Sequence, residues 1–191
     1  MPEIVTVTPE SSASSTDPNG HGGHSSVERQ RTLLVFQLGD KNAAFPIENV
    51  ECITPMAELA CPPGLPSLLE GILNLSGTAV PVLRLDRLLQ LPSRSPGLYS
   101  MLIVLKGICE GRIAMLVDRV SQIVSVPESV VLPVGKQDSF NACADATVTL
   151  EDANVHVLSP ARILLEKECK ALSEFQGITQ QRLQEWEAKR Q

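Results

Sequence analysis

The side chains most able to do chemistry in this chain are its five cysteines, three histidines and one adjacent Glu-Asp pair. Cys52, Cys61, Cys109, Cys143 and Cys169 are odd in number and no two are spaced CxxC. Neither a disulfide framework nor a zinc ribbon is expected from that pattern. Cys52 and Cys109 have no evident basic neighbour or helix start to stabilise a thiolate, so both read as small core or surface residues. His21-Gly-Gly-His24 offers two imidazoles in a Ser/Gly-rich stretch with no third ligand, too few for a specific metal. His156 stands in a strand-like run, where a general base would need an orienting carboxylate. Glu151-Asp152 reads as a turn. Asn74-Leu75-Ser76 matches a glycosylation sequon, which has meaning only on a secreted chain. No GxxxxGK[ST], GxGxxG, GxSxG, HExxH or HxE…CxxC pattern occurs. No catalytic residue, cofactor or metal is therefore expected, and a binding module remains.

Charge narrows what is bound. Sixteen Lys+Arg against 22 Asp+Glu leave −6, without the cationic surface that releases phosphate counterions, so no nucleic acid is expected. Aromatics are 3%, which disfavours stacking platforms for single strands. No apolar run reaches the ~18 residues of a membrane span and no leader opens the chain. No membrane insertion is expected, and the compartment reads as the reducing cytoplasm.

The elements that would carry a binding surface are short strands. Residues 1–30 form a Ser/Gly-rich tail read as disordered. Apolar runs at 33–38, 43–47, 50–54, 71–75 and 78–83 are separated by Gly, Pro, Asn and Asp, and Ser76-Gly77 suits a hairpin turn. Pro81 within its strand argues for an edge or a bulge. Residues 86–91 give one or two helical turns. The pattern returns at 101–105, 112–117, 120–126, 146–150 and 155–158. Ala44-Phe-Pro-Ile-Glu-Asn-Val-Glu-Cys-Ile53 lies over Ala114-Met-Leu-Val-Asp-Arg-Val-Ser-Gln-Ile123, 70 positions on, and Val80-Pro-Val-Leu over Val155-His-Val-Leu. This duplication predicts two small β-barrels, over 31–99 and 100–159, each too small to be stable alone and so sharing apolar surface. After Ser159-Pro160, a good N-cap and N1 pair, the spacing of Ile163, Leu164, Lys167, Leu172 and Phe175 predicts a packing helix. Gly177 ends or bends it, and Thr179–Arg190 forms a second helix in an extension over 169–191. Trp186 there packs on its own protein or anchors a partner.

Phe36-Gln-Leu-Gly39, Phe45-Pro-Ile-Glu-Asn-Val50, Gly71-Ile-Leu-Asn-Leu-Ser-Gly77, Val80-Pro-Val-Leu83 and Ile113-Ala-Met-Leu-Val-Asp-Arg-Val-Ser121 together resemble the CheW-like domain of bacterial chemotaxis coupling proteins, over residues 31–168. The resemblance implies a mostly β fold, two SH3-like five-stranded barrels around a common hydrophobic core, here with a C-terminal helical extension. It implies a non-enzymatic cytoplasmic adaptor, peripheral to membrane receptor arrays through its partners. Those partners would be the regulatory domain of a CheA-type histidine kinase and the signalling tip of a chemoreceptor. A divergent scaffold in another pathway, such as type IV pilus control, is the alternative.

On that resemblance Val50, Cys52 and Ile53 would line a partner groove, with core packing as the other reading of Val50 and Ile53. Asn74, Leu75, Ser76 and Gly77 would form a turn presented to partners, although Gly77 could serve only to supply a positive φ. Three places depart from the family pattern. Ser76 stands for the Arg of Asn-Leu-Arg-Gly, Arg84 and Asp86 exchange the usual Asp and Arg, and Cys52 replaces a frequent Glu. Arg84 and Asp86 are expected as a surface pair worth only ~0–1 kcal/mol, acting on partner choice.

Overall fold

The computed structural model describes residues 28–66, 69–109, 111–134 and 142–188, without the side chains of 186 and 187. The His21/His24 pair, most of the tail and the surroundings of Trp186 lie outside the described residues.

Eleven strands make two sheets among these residues. The strands are β1 (Gln30–Leu38), β2 (Lys41–Pro46), β3 (Val50–Pro55), β4 (Leu69–Leu75), β5 (Thr78–Arg84), β6 (Met101–Ile108), β7 (Gly111–Val117), β8 (Arg119–Pro127), β9 (Leu132–Pro133), β10 (Ala144–Leu150) and β11 (Ala153–Leu158). Three α-helices accompany them among the described residues: α1 (Leu85–Leu88), α2 (Pro160–Ile163) and α3 (Glu166–Ala188). The mostly β fold with a C-terminal helix matches the expectation.

Strand order carries the duplication and alters its boundaries. The five-stranded sheet runs β3-β6-β7-β5-β4, and the other runs β8-β1-β2-β11-β10 with the two-residue β9 added outside β10. The second order is the first with each strand replaced by its sequence repeat. Each sheet nevertheless mixes strands from both halves: β3 pairs with β6, and β8 pairs with β1. The sheets thus do not follow the divisions 31–99 and 100–159. A sequence repeat fixes which strands are alike, but not whether a strand pairs within its own copy.

The exchange follows from how apolar residues are spent. In β1, Leu33 and Val35 face a core within the six-stranded sheet, while Leu34, Phe36 and Leu38 face a core common to both sheets. In β7, Ala114 and Leu116 face the core of the five-stranded sheet, and Ile113, Met115 and Val117 face the common one. Period-2 alternation with both faces buried explains the continuous apolar runs. Phe36 and Phe45, both fully buried, meet in the common core with ring centroids 5.0 Å apart.

Gly107 has a positive φ (+72°) at an irregularity within β6, and the reversal after it comes at Cys109 (φ +51°). Three local expectations change. Pro81 is not on an edge strand. It sits one residue before the β5–β7 pairing, which begins at Val82, so its missing N–H costs no bond there. Gly177 does not end a helix, and no second one starts at Thr179, because α3 runs unbroken from Glu166 to Ala188. A mid-helix glycine costs only about 1 kcal/mol, and the side chains of Gln176 and Gln180 on either side of it are tied to β5 backbone. Finally, Cys109 and Cys169 form a disulfide, with Cα atoms 4.9 Å apart and a sequence separation of 60. Counting and CxxC spacing detect frameworks, not a single long-range pair among five cysteines.

Gly71 shows how tightly the connecting segment 56–61 is laid down. A Cβ at Gly71 would stand 2.7 Å from Leu59 Cβ and 3.1 Å from the Ala60 carbonyl. Ala60 and Ile72 exchange two backbone hydrogen bonds here, at 2.8 and 2.9 Å. Gly71→Ala is expected to lower stability by ~1–3 kcal/mol, measurable as a fall in the urea midpoint.

Candidate functional site

The β4–β5 turn is built by a short local code. Ser76 and Gly77 both have positive φ, +50° and +84°, the requirement of a two-residue hairpin whose twist matches its strands. Asn74 Oδ1 accepts the Gly77 N–H at 2.8 Å. Gly77 thus supplies the positive φ that its type suggested, and Gly77→Ala is expected to cost ~1–2 kcal/mol, read by thermal unfolding. Asn74 and Ser76 are exposed, and Leu75 is half-buried against the core of the five-stranded sheet.

The β3 residues lie elsewhere. β3 and β4 are the two end strands of the five-stranded order, so Val50–Ile53 and Asn74–Gly77 lie on strands that do not pair with one another. Val50 and Ile53 are half-buried and pack on the common core, while Cys52 leans on the core of its own sheet. Val50 and Ile53 therefore pack inward, as the core reading has it, and retain exposed area. Burial pushes the Cys52 thiol up, and the neighbouring Glu51 charge pushes it further, so Cys52 is not an activated nucleophile. Glu51 accepts a hydrogen bond from Arg112 Nε at 2.8 Å on β7, an exposed pair worth ~0–1 kcal/mol. In the other sheet the counterpart of β3 is β8, also an edge, which exposes Ile123.

Arg84 and Asp86 correct the expectation of a surface pair. Arg84 is only 5% exposed. Its Nε and Nη2 donate to the two Asp86 oxygens at 3.0 and 2.6 Å, and Nη2 also reaches Ser93 Oγ at 2.8 Å and the Arg94 carbonyl. Glu70 stands 3.8 Å from Nη1. Burial alone would raise the Asp86 carboxyl, but hydrogen bonds from Arg84 and Ser93 outweigh it and hold it below its ordinary value. The hydrogen bond to Asp86 raises the Arg84 guanidinium. The pair fastens the 93–94 segment to the start of α1. A bidentate guanidinium–carboxylate fork at i, i+2 is invisible in a residue pattern because burial decides its role.

An apolar cavity of about 350 Å³ lies where α3 meets β4 and β5, and sequence reasoning missed it. Ala60, Ile72, Ala79, Thr179 and Leu183 line it, together with the polar Asn74 and Arg182. Its walls come from a proline-broken connection and a C-terminal helix, neither of which the repeat could place. His156 takes no part. Its imidazole lies 3.5 Å from Thr147 Oγ1 across β10–β11, and burial with the nearby Lys41 charge lowers its pKa. Among the described residues no cluster of three His, Cys, Asp or Glu could hold a metal, and no helix is long and apolar enough to cross a membrane.

Comparison with known proteins places this architecture. Residues 32–168 match the model of the CheW-like domain. The chemotaxis protein CheW of Thermotoga maritima is 22% identical over 134 residues, covering 70% of this chain and 87% of that protein. The Bacillus subtilis protein of the same name is 23% identical over 144 residues, covering 74% and 91%. The crystal structure of the scaffolding protein TtCheW from Thermoanaerobacter tengcongensis superposes with a TM-score of 0.65 at 20% identity, over 76% of this chain and 94% of that one. With the family model matching well over half of its length, this chain belongs to the CheW-like family.

Proposed function

We propose that the chain is a non-enzymatic chemotaxis adaptor that couples a chemoreceptor signalling tip to the regulatory domain of a CheA-type histidine kinase in the cytoplasm. The observation that carries this reading is the family match across 32–168. Its support in the fold is a pair of unlike elements with exposed area. An adaptor must hold two partners at once, and this scaffold offers two such elements: the edge strand β3, with Val50, Cys52 and Ile53, and the β4–β5 turn, with Asn74, Leu75, Ser76 and Gly77. Edge strands and rigid exposed turns suit strand pairing and helix docking respectively. Arg84 and Asp86 serve the reading indirectly, by fixing the 93–94 segment, since their charges are turned inward.

The test is a titration of the full chain with a receptor-tip fragment and, separately, with the kinase regulatory domain from the same organism. Ile53→Thr keeps β-branching while removing apolar surface, and Ser76→Glu adds charge at the turn tip. Each is expected to weaken one partner about tenfold or more and leave the other unchanged. Binding of neither partner by the wild-type chain would refute the adaptor reading.

A further inference from the structure

The family match ends at residue 168, whereas α3 runs from Glu166 to Ala188. Almost the whole helix thus lies beyond the matched domain, and its attachment is thin. Leu172 is its one fully buried apolar side chain among the described residues, aided by half-buried Cys169, Phe175 and Leu183. The remaining ties are polar. Gln180 Oε1 accepts the Ala79 N–H at 2.7 Å, Gln180 Nε2 donates to the Gly77 carbonyl at 2.9 Å, and Gln176 Nε2 donates to the Ala79 carbonyl at 2.9 Å. These bonds satisfy the stretch of β5 that lies before its pairing with β7 begins at Val82. The amide side chains thus take the place of a neighbouring strand beside the β4–β5 turn. The same helix closes the apolar cavity with Thr179 and Leu183. Elements with few buried apolar contacts detach at low free energy, so a covalent tie has large leverage here. The Cys109–Cys169 bond is that tie, joining α3 to the β6–β7 turn. It borders an open hollow of about 380 Å³ shared with Glu166, Lys170 and Ser173, so a reductant can reach it.

We propose that α3 is a removable cover over the cavity beside the β4–β5 turn, and that the Cys109–Cys169 bond is its redox-controlled fastener. The functional consequence rests on the adaptor reading, because that cavity adjoins the turn assigned there to a partner. A dithiol reductant supplies the two electrons. One of its thiolates attacks a sulfur of the bond to give a mixed disulfide and releases the other cysteine, which takes a proton. The reductant's second thiol then closes its own disulfide, and both Cys109 and Cys169 end as thiols. With the tie open, α3 leaves as a unit, and the surface it vacates accepts an amphipathic helix of the receptor tip in its place: apolar contact with Ile72 and Ala79, and amide groups for the Gly77 and Ala79 backbone.

The experiment uses the full chain in oxidised, reduced and reoxidised form, with Cys169→Ser, and with Gln176→Ala/Gln180→Ala as a variant that keeps the bond. Thiols are first counted under denaturing conditions after air oxidation; titration of all five as free thiols would overturn the fastener. Amide hydrogen exchange then follows Ala79 and residues 170–185, with Leu34 and Ile103 reporting that the sheets remain folded. Reduction and Cys169→Ser are expected to speed exchange at Ala79 and along α3 about tenfold or more, and reoxidation of the wild type to restore it. The double-alanine variant is expected to speed Ala79 while its intact bond keeps the first turns of α3 protected. Equal exchange in oxidised and reduced protein would overturn the proposal. Receptor-tip affinity is measured on the same forms and is expected to rise on reduction; equal affinity alongside changed exchange would overturn the cover. Absence of binding in every form would refute the adaptor reading, while exchange alone would still decide the fastening.

Discussion

Arg84→Ala is expected to destabilise the fold by about 3–5 kcal/mol, because it leaves a carboxylate unpaired in a largely dry site. The arithmetic turns on burial. Arg84 is 5% exposed and binds both Asp86 oxygens, Ser93 and the Arg94 carbonyl, whereas an exposed pair would contribute ~0–1 kcal/mol. Urea unfolding of Arg84→Ala, Asp86→Ala and the double variant measures the coupling. The double variant is expected to lose less than the sum of the singles by about 1 kcal/mol or more, since removing both partners abolishes the orphaned charge. The pH dependence has a definite sign. Asp86 in the folded chain lies below its ordinary 3.8, so its contribution is complete above that value and is lost as pH falls through the lower folded value. The wild type should therefore lose stability in acid more steeply than Arg84→Ala. A single variant within about 0.5 kcal/mol of wild type, the range of ordinary surface substitutions, would contradict the clamp.

Phe45→Ala is expected to cost a similar ~3–5 kcal/mol, the range for truncating a buried Phe. Phe45 is fully buried, packs on Phe36 at 5.0 Å, and belongs to the core that both sheets share. Its loss should lower one cooperative transition monitored by any probe of either sheet. Val148, buried in the core of the six-stranded sheet alone, is the control. Val148→Ala should shift the same single transition by a smaller amount. Two separated transitions in Phe45→Ala would contradict the common core and the strand exchange that creates it.

Much of this architecture was legible in the sequence. Apolar runs such as 33–36 and 101–105 mark strands because both faces are buried, so no polar residue interrupts them. Ser76-Gly77 and Glu151-Asp152 mark reversals because those positions need positive φ, as all four have. The match of 44–53 to 114–123 identified β2–β3 and β7–β8 as equivalents, which the two strand orders reproduce. What the sequence withheld was placement in three dimensions. Pairing of β3 with β6 rather than with its own half, the inward turn of Arg84 and the Cys109–Cys169 bond all join residues whose proximity leaves no local pattern. Of the site, the Asn74–Gly77 turn was readable from residue type alone. The cavity behind it was not, because α3 supplies one wall and has no counterpart in the repeat.

The most direct measurement is co-sedimentation of the kinase regulatory domain with assembled receptor-tip fragments, with and without this chain. The account predicts that the kinase domain pellets only when the chain is added, in proportion to the chain retained, and that saturating one partner does not displace the other. Kinase recovery that is unchanged by the chain, or displacement of one partner by the other, would contradict a molecule built to hold both at once.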